Sequence, residues 1–152
     1  MSDPLSIAAG IVGVLTAAAQ ISSLLIKWTK SAKEAPQQAR VVATEVTELS
    51  GILAHLQSFL LGNGCSDESR TSLVKVDQLV TILSGCVLTF SELEKLLDEM
   101  KVEDFNILDR VRWAKKESAV MSVVQRLQNH KASLSLMLNI LNGLASCITT
   151  FQ

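Results

Sequence analysis

Tyrosine is absent from the chain, and only two tryptophans and four phenylalanines stand among its 152 residues. A core built here rests on aliphatic side chains, not on large rings. Proline is almost as scarce. Pro4 and Pro36 both lie in the first quarter, so from Gln37 onward nothing forbids long helices. Strand-type alternation is missing too, since Val and Ile recur in helical spacing. The three cysteines, Cys65, Cys86 and Cys147, are odd in number and contain no CxxC pair. That argues against a disulfide scaffold and suits a reducing cytoplasm. The amino terminus lacks the basic stretch of a secretory signal and carries Asp3 where positive charge would stand.

Catalytic patterns are equally lacking. Gly62-Asn63-Gly64 begins like a GxGxxG turn, but Asp67 occupies the third glycine position and a helix, not a strand, precedes it. No GxxxxGK[ST] run occurs. His55 and His130 stand apart, without HExxH or Cys/His ligand spacing. Glu45 and Glu48 share a helical face and read as a solvated face, not an acid-base pair. The expectation is a protein that is not an enzyme, with no catalytic residue, cofactor or metal. A sequence pI near 6.1 without a basic, aromatic-interleaved stripe speaks against nucleic acid.

Charge is sparse and uneven. Segments 1–33, 34–65, 66–109 and 110–152 carry net +2, −2, −6 and +5. The acidic third and basic fourth segments are expected to face each other.

What the chain has in abundance is apolar length. Leu5 to Ile26 contains no charge, and its 22 residues make roughly 33 Å of helix, close to a bilayer's hydrocarbon thickness. Asp3 and Pro4 suit a helix start. Lys27, Trp28, Lys30 and Lys33 follow: cations for the negative end of a helix dipole, and a ring at home where apolar and polar media meet. Ala9, Gly13 and Ala17 lie four apart, the small-xxx-small spacing that lets helices approach closely. Ser6, Thr16, Gln20, Ser22 and Ser23 dilute the run. It is marginal for a membrane and acceptable in a protein interior. One reading makes it only the central helix of a soluble bundle; another, weaker, makes it a permanent membrane span. As a helix apolar on all sides it should be the most buried member, with its small face against neighbouring backbones and Ile11, Leu15 and Leu25 filling the core.

Helical spacing continues beyond it. Ala39, Val42, Val46, Leu49, Leu53, Leu56 and Leu60 repeat at intervals of three and four, and Gly62 to Gly64 ends that segment. Ser66 or Asp67 caps the next, whose seam is Leu73, Val76, Val80, Leu83, Val87, Phe90 and Leu97. Gly85 interrupts it and leaves room for a neighbouring helix. After the charged Lys101 to Asp104, Asn106 starts a short helix. A break at Lys115 to Ser118 is expected, because a single helix from Ile107 to Thr149 would be about 64 Å long. The last segment carries Val120, Val124, Leu127, Leu134, Leu138, Leu141, Ala145 and Ile148, with Lys131 intruding on the seam. Lys131 is expected to snorkel or pair with an acidic residue of the third segment. The fold class predicted is all-α: one domain over 1–152, an antiparallel bundle of four long helices plus a short helix before the last. Leu49, Leu53, Leu56, Leu83, Val87, Leu127, Leu134 and Leu141 are the predicted core.

The opening DPLSIAAGIVGVLTAAAQISSLL, the later RVRWAKKESAV and the closing LQNHKASLSLMLNIL resemble the fungal HeLo-like domain, over essentially the whole chain. That domain is the N-terminal module of many fungal STAND receptors, NLR-like proteins with a nucleotide-binding engine and a repeat domain. It is similar to the four-helix domain of the mixed-lineage kinase-like necroptosis executioner. The resemblance implies a cell-death or incompatibility effector that moves from cytoplasm to plasma membrane. Its inserting helix would hold Leu5, Ile7, Gly10, Ile11, Gly13, Val14, Leu15, Leu24, Leu25 and Ile26, with Lys27, Trp28, Lys30 and Lys33 at the interface. Anionic lipids, other copies of itself and a nucleotide-binding domain after Gln152 would be its partners. Other family members act only as signalling heads, which implies the alternative of a non-toxic interaction and oligomerisation module.

Overall fold

A computed structural model describes residues 4–31, 37–61, 76–99 and 107–150. Every described residue except Leu61 is helical, and no strand occurs among them. The helices are α1 (Pro4–Ser31), α2 (Gln37–Leu60), α3 (Val76–Glu99) and α4 (Ile107–Thr150). The turn expected at Gly62 to Gly64, the caps at Ser66, Asp67 and Asn106, Leu73, Cys65 and Lys33 lie outside the described residues.

α1 packs on α2 and α3, and α4 packs on the same two helices. Side-chain pairs set the directions. Gln38 meets Glu117 and Glu48 meets Lys131, so α2 and α4 run parallel. Glu99 meets Lys116 and Glu92 meets Arg126, so α3 and α4 run antiparallel. These last two pairs are the acidic third and basic fourth segments facing each other, as their charges imply. Only five residues separate Ser31 from Gln37, too few to run back along the length of α1, so α1 is antiparallel to α2 and parallel to α3.

The core is one cluster of aliphatic side chains from all four helices, joined by Phe90 and Cys86. α2 buries the predicted stripe from Ala39 to Leu60. Leu127, Leu134 and Leu141 are buried in α4 as expected. α3 differs. Its buried stripe is Leu79, Leu83, Cys86, Phe90, Leu93 and Leu97, while Val80 and Val87 are exposed. Both stripes repeat at three and four and share Leu83, Phe90 and Leu97. Turning the helix to bury Leu79 and Leu93 removes more apolar area from water than burying two valines would.

The expected break in α4 does not occur, and the helix is continuous for 44 residues. No proline lies within it, and no glycine before Gly143. Each added residue closes another backbone hydrogen bond, so a helix without a breaker propagates past its partners. Lys116 sits opposite Glu99, the last residue of α3, and Glu117 meets Gln38 at the start of α2. Residues 107–115 therefore project beyond both helices.

Candidate functional site in the first helix

α1 is long and apolar enough to cross a membrane: Ser6 to Lys27 spans 22 residues with a mean hydropathy of 1.9. In the bundle it is not surrounded. Ile7, Ile11, Val14, Ala18, Ile21 and Leu25 are buried, at successive intervals of four and three. This places one stripe of the helix against the core and leaves the opposite face outside. Leu15 and Leu24 are half-buried, and Ile26 and Lys27 are exposed. Val12, near the middle of the run, is 49 % exposed. The side chains of Leu5, Trp28 and Lys30 are outside the described set, so the interface group is represented by Lys27 alone.

Two expectations about this helix are overturned. It is not the most enclosed member: seven of its described side chains are buried, against eight in the shorter α2. Nor does its small face meet neighbouring backbones. Ala9 and Gly13 are exposed and Ala17 is half-buried, and a Cβ added at Gly10 or Gly13 would meet no atom within 4 Å. Branched and long aliphatic side chains recover more apolar area per residue than alanine or glycine, so they take the inward stripe.

Polar clamps tie α4 to α2 and α3. Lys131 Nζ lies 2.8 Å from Glu45 Oε2 and 2.5 Å from Glu48 Oε2. Gln128 Nε2 donates to Glu45 Oε1 at 3.0 Å. Lys131 thus pairs with α2, not with the third segment as expected, and Glu45 is buried instead of solvated. Burial alone pushes the Glu45 carboxyl upward, but Lys131 and Gln128 outweigh it and hold the group below its ordinary value. The same two carboxylates raise Lys131. Glu45 could have been found from sequence as an acid on the apolar stripe between Val42 and Leu49, with Lys131 as its counterpart on another seam.

The second clamp uses the gap at Gly85. A Cβ there would stand 2.7 Å from His130 Cε1, so the imidazole of α4 fills the space that glycine leaves. Thr89 Oγ1 donates to the Gly85 carbonyl at 2.8 Å and lies within hydrogen-bond distance, 3.1 Å, of His130 Nε2. Burial and the nearby Arg126 charge lower His130, against a hydrogen bond to the Gly85 backbone that raises it. Arg126 itself reaches Glu92 at 2.6 Å. Cys86, next to the gap, is a small hydrophobe whose thiol burial pushes up to about 12. Among the described residues no group of three His, Cys, Asp or Glu is placed to hold a metal ion.

No curated protein and no solved structure matches this chain. Residues 2–142 do match a family model, described as the N-terminal region of the pigment biosynthesis cluster protein PigL. With the match covering nearly its whole length, the chain belongs to the PigL N-terminal family.

Proposed function

We propose that the chain is a membrane-targeting effector domain of the HeLo-like kind, serving cell death or incompatibility. The observation that carries this reading is α1: an uncharged run of membrane-spanning length with only one stripe buried. In the resting bundle apolar contacts with α2 and α3 hold it. The clamps at Lys131 and His130 join α2, α3 and α4 to one another, so these three helices have contacts that survive the departure of α1. Clustering of copies releases α1 onto or into the plasma membrane. Lys27, followed by Lys30 and Lys33, then meets anionic headgroups, each cation contributing roughly 1 kcal/mol near the surface. The domain works in the cytoplasm until activated, without enzymatic activity, at the head of a protein that continues into a nucleotide-binding domain. A family described by an N-terminal region fits that placement.

The full burial of Ile11 and Leu25 favours a second reading. In it α1 never leaves, and the domain recruits partners without toxicity, as a module serving a pigment biosynthesis cluster would. Leakage of anionic liposomes decides between them. Val14 is 1 % exposed, so a charge there would unfold the bundle. Thr16 is exposed and near the centre of the run. Thr16→Asp is expected to leave the melting temperature nearly unchanged and to abolish leakage, since a charge at the bilayer centre costs about 2.5–3.5 kcal/mol. Wild type that neither binds nor permeabilises anionic vesicles when clustered would establish the second reading.

A further inference from the structure

α4 holds its two neighbours through adjacent residues. His130 faces α3, and Lys131, next in the chain, faces α2. The two contacts differ in chemistry. Lys131 meets Glu45 and Glu48 with opposite charge, and Gln128 adds a hydrogen bond to Glu45. His130 holds α3 chiefly by shape. Its ring lies in the gap left by the missing Cβ of Gly85, with Nε2 3.1 Å from Thr89 Oγ1. The charged groups around that ring are poorly placed to balance a proton on it. From α3, Glu92 is paired with Arg126, and Asp77 lies two turns before Gly85. From α2, Glu45 and Glu48 are taken by Lys131. α1 carries no charge before Lys27. On α4 itself Arg126 stands four residues before His130, and like charges at that spacing destabilise a helix. Cys86, beside the gap, stays neutral, its thiol pushed up to about 12 by burial.

We infer that His130 is an acid-sensitive latch: on taking up a proton it leaves the Gly85 gap, and the first half of α3 parts from α4 while α2 stays clamped to it. A seated imidazolium is half-buried beside a second cation, whereas a ring in water is freely solvated. Burial and Arg126 hold His130 below its ordinary 6.5, against the Gly85 hydrogen bond, so the seated ring is the neutral one. The latch is complete above pH 6.5 and weakens as pH falls from there. The clamp on α2 has other limits. Burial opposes the Glu45 charge, but Lys131 and Gln128 outweigh it and keep the carboxyl below 4.5. Glu45 and Glu48 keep Lys131 above 10.5. Those charges persist between the two limits. Lys116 likewise keeps Glu99 below 4.5, which pins the far end of α3 to α4. Mild acid therefore loosens one seam of the bundle and spares the other. α1 packs on α3 as well as on α2, so the opening withdraws one of its two supports. The latch itself requires nothing of the membrane reading.

Amide hydrogen exchange of the whole chain in a series of low urea concentrations, at about pH 7.5 and about pH 5.5 and without lipid, tests it. Urea dependence separates a partial opening from global unfolding. At the lower pH, residues 82–91 of α3 are expected to exchange through an opening less dependent on urea than that of residues 49–58 of α2. The equilibrium constant of the α3 opening is expected to be about three- to tenfold larger than at the higher pH. About tenfold is the most that one group with the ordinary value of 6.5 supplies over that interval. His130→Gln is expected to remove this pH response. His55→Gln, at the chain's other histidine and exposed on α2, is expected to keep it. Helical melts confirm that each variant is folded, and His130→Asn is read in the same way if the glutamine lowers stability. A single opening shared by α2 and α3, an α3 opening indifferent to pH, a response that persists in His130→Gln, or one that His55→Gln removes, each overturns the proposal.

Discussion

Leu53 and Leu134 are fully enclosed, whereas Val87 is 50 % exposed although it shares their helical spacing. Truncation measures that difference directly. Leu53→Ala and Leu134→Ala should each lose about 2–5 kcal/mol in denaturant melts, the transfer cost plus the cavity left behind. Val87→Ala should lose less than about 0.5 kcal/mol, because the valine already sees water. His130 gives a second test at this scale. Its folded value lies below the ordinary 6.5, chiefly through burial, so the unfolded chain takes up a proton first as pH falls. The stability that neutral His130 allows is complete above pH 6.5 and declines as pH drops from there through the lowered folded value. Melting temperature should therefore fall between pH 7 and pH 5.5. His130→Gln should flatten that slope, and a slope unchanged by the substitution would assign it to other groups.

The helices differ in how they are held. α2 and α4 are joined by the Lys131, Glu45 and Glu48 cluster, in which Glu45 has little contact with water. Lys131→Met should cost about 1–3 kcal/mol, because it strands a buried carboxylate, and adding Glu45→Gln should recover part of the loss. Additive costs in that pair, read by urea melts, would mean that the two side chains do not act together. The gap at Gly85 is the matching device between α3 and α4. Glycine in a helix interior costs about 1 kcal/mol relative to alanine. Here the missing Cβ makes room for the His130 ring, which carries the contact with Thr89. The unbroken α4 links both devices, since Gln128, His130 and Lys131 are carried on two adjacent turns.

For the whole molecule, the proposed function turns on the balance between α1 in the bundle and α1 in lipid. Its inward stripe favours the bundle, and its uncharged length permits the bilayer. On that proposal, charge at its end would tip the encounter with a membrane without touching the core. Lys27→Glu with Lys30→Glu should leave thermal stability essentially unaltered and weaken binding to anionic vesicles. The gap from wild type should shrink at high salt, where screening shortens to a few ångströms, about 3 Å at 1 M. Equal binding by both proteins at low salt would remove these lysines from the membrane interface.

Amino-acid order alone was sufficient for the helical class, the stripe from Ala39 to Leu60 in α2, the apolar stretch of α1 and the facing of acidic α3 by basic α4. Each is a property of local periodicity or of net charge, and a 3.6-residue repeat is written within a single segment. Tertiary structure decided the rest. α3 carries two stripes of equal spacing, and only its neighbours select Leu79 and Leu93 over Val80 and Val87. α1 could have turned its glycines inward; the larger aliphatic side chains took that place. Lys131 had acids available on two helices and met those of α2. The rotation of a helix about its own axis depends on what it packs against, and that information lies in residues far away in the chain.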